Sequence, residues 1–201
     1  MQDVATKTSV GKILIAYYSR TGRTARVARD IAARTGGDIE RIQDPRHRIG
    51  CLGYLEAIRD AVRGAPARIP PITRKPSDYA MTIIGTPVWA WKMTPAVRAY
   101  LRQTQQQLGH VAFFVTSGDT DVAKIVTPME ALVGVRAIAS IGFNSRQLND
   151  QKLYEEKLRS FLAAIGYSTT ASATVEDDGG AFSGSVHVPI SPSPTPMEHQ
   201  W

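Results

Sequence analysis

Five short apolar runs separated by stretches of helical spacing restrict this chain to few architectures. Lys12 to Tyr17, Asp38 to Ile42, Ala80 to Gly85 (AMTIIG), Val111 to Thr116 (VAFFVT) and Val135 to Phe143 read as strands. Thr24 to Arg34 places Ala25, Ala28, Ile31 and Ala32 on one helical face, and Pro95 to Gln103 reads as a second helix. A final helix over Asp150 to Ala164 carries Leu153, Lys157, Leu158, Phe161 and Leu162 at helical spacing. Strands that alternate with helices in this way argue for a parallel sheet covered on both faces. The expected fold class is therefore α/β.

At 201 residues, with 43% hydrophobic and 21% charged residues, the chain suits one soluble domain with a sizeable core. Two segments lie outside the alternation. Residues 44–76 form a long connection with a helix expected at Tyr54 to Arg63, and they hold Arg46, Arg48, Arg59, Arg63, Arg68 and Arg74. Residues 169–201 are rich in Ser, Thr, Gly and Pro, and too poor in apolar area to offset their chain entropy, so a disordered tail is expected there. Residues 1–11 read as an N-terminal extension, which leaves the domain at 12–168.

The net charge of +6 admits an anionic partner, yet no block of like charge and no basic stripe interleaved with aromatics occurs, so no nucleic-acid role is expected. The single cysteine, Cys51, precludes an intrachain disulfide, and no Cys/His metal spacing is present. No apolar run is long enough for a membrane span (~18 residues), and a cytoplasmic protein is the simplest reading. Cys51 and His47 read as a surface thiol and a solvated imidazole.

In an open parallel sheet, ligands bind beyond the C-terminal ends of the strands. Three loops should meet there. The first, YYSRTGRT, offers Ser19, Thr21 and Thr24 hydroxyls, Gly22, the cations Arg20 and Arg23, and the free N–H groups of a helix start. Such a loop can hold an anion, or it can be a helix start whose hydroxyls close on their own backbone. It lacks the signatures of an ATP-binding P-loop and of a dinucleotide site. The second loop, TPVWAW (Thr86, Pro87, Val88, Trp89, Ala90, Trp91), exposes two tryptophans that call for a flat ligand, a partner, or packing onto the domain. The third, Ser117, Gly118 and Asp119, offers backbone N–H groups and a glycine for close approach.

Taken together and in this order, YYSRTGRT and IIGTPVWAWKMTPAVRAYL resemble the flavodoxin family, with the likeness running from about Lys12 to Ala164. The resemblance implies a flavodoxin-like doubly wound, five-stranded parallel sheet of order 2-1-3-4-5, with FMN as cofactor. It implies that Ser19, Thr21, Gly22 and Thr24 hold the FMN phosphate, with Arg20 and Arg23 beside it. Thr86 to Trp91 would border the isoalloxazine, Trp89 being the stacking candidate, and Ser117, Gly118 and Asp119 would contact the pyrimidine edge or the ring's other flank.

Three departures from the family pattern bear on mechanism. Arg20 and Arg23 flank the phosphate loop, where electron-carrying flavodoxins commonly rely on neutral donors. Trp91 stands where many relatives have glycine, and a bulky residue is expected to resist the positive φ that lets the peptide beside the flavin flip. The chain is also basic, whereas electron-carrying flavodoxins are typically acidic. Three functions follow as expectations: a flavin-dependent oxidoreductase acting on a quinone-like or porphyrinogen-like substrate, an electron carrier to a partner protein, or a flavin-free binding module. None requires a catalytic acid or base from the chain.

Overall fold

The computed structural model describes residues 11–44, 69–118 and 121–167. The expected helix at 54–63, His47, Cys51, Asp119, the N-terminal extension up to residue 10 and the tail from 168 onward lie outside the described residues.

Five parallel strands form the core: β1 (Ile13–Tyr17), β2 (Asp38–Arg41), β3 (Met81–Trp89), β5 (His110–Ser117) and β6 (Ala139–Asn144). They pair in the order β2-β1-β3-β5-β6, and a two-residue strand β4 (Lys92–Met93) folds back antiparallel on β3. With β4 set aside, this is the order 2-1-3-4-5 that the resemblance to the flavodoxin family implies. The helices are α1 (Arg23–Thr35), α2 (Pro95–Thr104), α3 (Val122–Val133), α4 (Ser145–Asn149) and α5 (Gln151–Ala164).

Side-chain alternation along the strands sorts the core into two layers. Ile13, Ile15, Ile83, Phe114 and Phe143 pack with Val27 and Ile31 of α1 and Leu158 and Phe161 of α5. Ala16, Ile84, Phe113 and Val115 point the other way, to Val97, Tyr100 and Leu101 of α2 and Ile125 and Met129 of α3. Each strand residue of β1 is buried, as the unbroken apolar run demands. Close packing of β3 on β5 needs Gly85, because a Cβ there would overlap the Phe114 ring.

Three elements differ from the expectation. β3 does not stop at Gly85 but runs four residues further and turns into a hairpin, because Val88 and Trp89 find antiparallel partners in Met93 and Lys92. The last strand begins at Ala139 rather than Val135, since Gly134 in the left-handed region ends α3 and the chain needs Val135–Ile138 to re-enter the sheet. Helix α3 is absent from the expectation, although Ile125, Met129 and Val133 recur at every fourth residue on its buried face. It contains Pro128 in its interior, a residue that ordinarily argues against a helix.

Candidate functional site

The C-terminal ends of β1, β3, β5 and β6 gather the three loops. Gly22, at φ 89°, is the N-cap of α1 and has no side chain with which to cap it. The first N–H groups of α1 therefore have no acceptor within the helix and face the loop, where they favour negative charge. A Cβ on Gly22 would touch nothing within 4 Å, so the glycine serves the left-handed turn and not a close contact.

The hydroxyls divide into two groups. Thr21 lies on the exposed part of the loop, with Arg20, Gly22 and Arg23. Ser19 is 5% exposed, and its Oγ accepts the Gly22 N–H at 3.2 Å, leaving its own proton available to an acceptor. Thr24 is 2% exposed and its hydroxyl shares a 2.8 Å hydrogen bond with that of Thr116 on β5. Thr24 thus ties α1 to the centre of the sheet. Arg23 is likewise engaged: its guanidinium donates to Ser145 Oγ at 2.9 Å, and Arg26 one turn on donates to the Leu148 carbonyl at 2.7 Å. These two arginines fasten the start of α1 to the α4 segment that follows β6. Thr116 and Ser145 carry no motif in the sequence and acquire their part only through the sheet order.

The second loop is a two-residue β-hairpin. Trp89 pairs with Lys92, so Ala90 and Trp91 occupy the turn, with φ of 46° and 58°. Positive φ at both positions is the type I′ pattern, whose twist matches that of the flanking strands. This corrects the expectation that Trp91 would resist positive φ: the short hairpin imposes the left-handed conformation on it. Trp91 is 78% exposed. Trp89 is half-buried and meets Tyr18 edge to face, with ring centroids 5.5 Å apart and planes at 87°. The exposed ring of the loop is therefore Trp91, while Trp89 fastens the hairpin to the first loop. Pro87, Val88 and Ala90 are half-buried, and Thr86 is fully buried. The Thr86 hydroxyl donates to the Pro87 carbonyl at 2.9 Å and accepts the Thr94 N–H at 3.2 Å, which braces the hairpin's base against the start of α2.

In the third loop Ser117 sits opposite Asn144 in the β5–β6 register, and Gly118 is exposed with open space where a Cβ would stand. A cleft of about 320 Å³ opens beside the first loop between Tyr18, Ser19, Arg41, Ile42, Gln43 and Asp44. Tyr18 has its ionisation pushed up to about 12, first by burial and then by Asp44, against the opposing pull of Arg20 and Arg41. It stays neutral at physiological pH.

The family model described as Flavodoxin matches residues 12–165, which is most of the chain. The chain belongs to the flavodoxin family. Its likeness to solved flavodoxin-like structures is one of fold. A flavoprotein from Lactobacillus acidophilus NCFM, solved in complex with FMN, is 21% identical with a TM-score of 0.58, over 69% of this chain and 97% of that one. The apo form of the flavoprotein from the same organism, solved by NMR, gives a TM-score of 0.51 at 21% identity, over 69% of this chain and 95% of that one. A protein from Bacteroides eggerthii DSM 20697 gives 0.59 at 22% identity, over 78% and 98%. No curated protein matches the chain. No helix among the described residues is long and apolar enough to cross a membrane.

Proposed function

We propose that this flavodoxin-family chain binds FMN and works as a flavin-dependent oxidoreductase toward a small quinone-like or porphyrinogen-like acceptor. The observation that carries the reading is the joining of an uncapped helix start to an exposed tryptophan hairpin on one sheet edge. The first suits a phosphate and the second a flat ring. The FMN-bound neighbour of the same fold supports that pairing.

The residues present fit the cofactor. The α1 N–H groups, Thr21 and the remaining proton of Ser19 would donate to the phosphate, and the exposed Arg20 adds positive field. The hairpin Pro87–Trp91 and the Ser117–Gly118 segment would flank the ring. Thr24 and Thr86 would act by position, their hydroxyls being engaged with Thr116 and with Pro87 and Thr94, whereas the exposed Arg23 bonds Ser145 through one nitrogen and keeps further N–H donors for the phosphate. When bound, the flavin supplies one- and two-electron transfer chemistry, and the chain supplies binding, orientation and field. A net charge of +6 suits an anionic or neutral acceptor better than docking to a basic protein, which favours the enzyme over the carrier.

A flavin-free module on the same fold has one observation in its favour, namely that Ser19 and Thr24 already hold bonds inside the protein. Titrating the protein with FMN and then riboflavin separates the readings. FMN should quench and shift on binding, and riboflavin, lacking the phosphate, should bind at least tenfold more weakly, the worth of one hydrogen bond to a charged group. Absence of any spectral change with FMN would refute the proposal. NADPH-driven turnover of a quinone by the loaded protein would favour the enzyme, and its absence the carrier.

A further inference from the structure

Two arginines near the start of α1 reach the segment after β6, and they are bound in different ways. Arg26 is held at several points. One guanidinium nitrogen donates to the Leu148 carbonyl at 2.7 Å and the other to Gln151 Oε1 at 3.2 Å. Its Nε lies 3.9 Å from Asp30, and its guanidinium carbon sits 4.6 Å from the centre of the Tyr154 ring. Arg23 is exposed, and among the described residues its guanidinium has one partner, Ser145, whose Oγ accepts an N–H at 2.9 Å. A guanidinium carries several N–H donors in a planar fork, so most of those of Arg23 remain available.

The point to which Arg23 is tied is rigid. Ser145 opens α4, where Asn144 Oδ1 accepts the Gln147 N–H and Gln147 Oε1 accepts the Asn144 N–H, both at 2.9 Å. This reciprocal cap fixes the turn, and the buried Leu148 holds α4 to the core. Asn144 lies opposite Ser117 in the β5–β6 register, which puts Ser145 at the same sheet edge as the third loop.

As a source of stability the Arg23–Ser145 bond is weak. It joins an exposed arginine to a half-buried serine, and the long side chain loses rotamer freedom in keeping it, so the net gain is close to nothing. Its effect is on direction. Arg23 is the first residue of α1, and its own N–H is one of the groups that the helix leaves without an acceptor. The backbone donor and the cationic fork thus belong to one residue, and Ser145 holds the fork before any ligand arrives. Arginine meets phosphate best through a planar, two-pronged contact, and ordering the side chain beforehand removes part of the entropy cost of that contact.

We infer that Ser145 is a positioning residue for the FMN phosphate: it orients the Arg23 guanidinium at the start of α1 so that the remaining N–H donors serve the phosphate. This role presupposes the flavin reading of the site. Arg26 anchors the helix and has no comparable role, because its nitrogens already have partners within the fold.

Fluorescence titration with FMN and with riboflavin tests this on the full chain, in the parent, Ser145→Ala, Arg23→Ala and the double variant. Ser145→Ala should weaken FMN about two- to tenfold, the cost of ordering one long side chain, and leave riboflavin unchanged. Arg23→Ala should weaken FMN by at least as much, and adding Ser145→Ala to it should change nothing further. The melting temperature of flavin-free Ser145→Ala should match that of the parent. FMN bound by Ser145→Ala as tightly as by the parent or more tightly, equal losses for the two flavins, or a Ser145 effect that persists without Arg23 would overturn the inference. A clearly lower melting temperature for Ser145→Ala would do the same, because the bond would then serve the fold. A parent that binds FMN no better than riboflavin refutes the phosphate reading itself and this role with it, whereas a parent that prefers FMN and ignores Ser145→Ala refutes this role alone.

Discussion

Replacing Ala90 by glycine should stabilise this protein, opposite to the usual effect of glycine in ordered structure. Ala90 holds φ at 46° in the hairpin turn, and its neighbour Trp91 holds 58°. An L-residue with a Cβ in the left-handed region costs roughly 1–2 kcal/mol. Glycine removes that cost but gives back about 0.5–1 kcal/mol through the greater freedom of its unfolded chain. The net expectation is a gain of about 0.5–1 kcal/mol, or ~1–4 °C in melting temperature for a domain of this size. Ala25→Gly in the first turn of α1 is the matched control, where φ is helical and a loss of up to about 1 kcal/mol is expected. Thermal and urea melts of the flavin-free protein read both. If Ala90→Gly destabilises as much as Ala25→Gly, the hairpin does not hold Ala90 in the left-handed region and the account of this loop fails.

Gly85→Ala should destabilise by at least ~1–3 kcal/mol in a urea melt, because the added methyl must displace the buried Phe114 ring; a neutral result would mean β3 and β5 are less tightly packed. Thr24→Val should cost about 1–3 kcal/mol by leaving the buried Thr116 hydroxyl unpaired, whereas Thr21→Ala should leave melting within ~0.5 kcal/mol and weaken FMN more than riboflavin. Equal effects of Thr21→Ala on the two flavins would contradict the phosphate role. Tyr18, with its ionisation raised to about 12, binds its proton more tightly in the folded state than in the unfolded chain, where tyrosine titrates near 10. Its contribution is intact below about pH 10 and is lost as pH rises through about 12, so Tyr18→Phe should shift the alkaline unfolding midpoint upward by circular dichroism. An unshifted midpoint would show that Tyr18 does not drive alkaline unfolding.

The sequence alone determined the sheet and its loops. An unbroken run such as ILIAY suits a strand buried on both sides, and helical spacing between such runs argues for parallel crossovers, so the fold class follows from local pattern. The hairpin was less legible, since Ala90 and Trp91 are not residues that advertise a type I′ turn. Only the pairing of Val88 with Met93 and Trp89 with Lys92 forces them into it. Which hydroxyls face outward was not legible at all. Ser19, Thr21 and Thr24 are equivalent as a motif, but Thr24 meets Thr116, 92 residues away, and Arg23 meets Ser145, 122 residues away. Periodicity reports which side of an element is buried. What a buried polar group finds there depends on strand order and helix placement, and these exist only once the chain has folded.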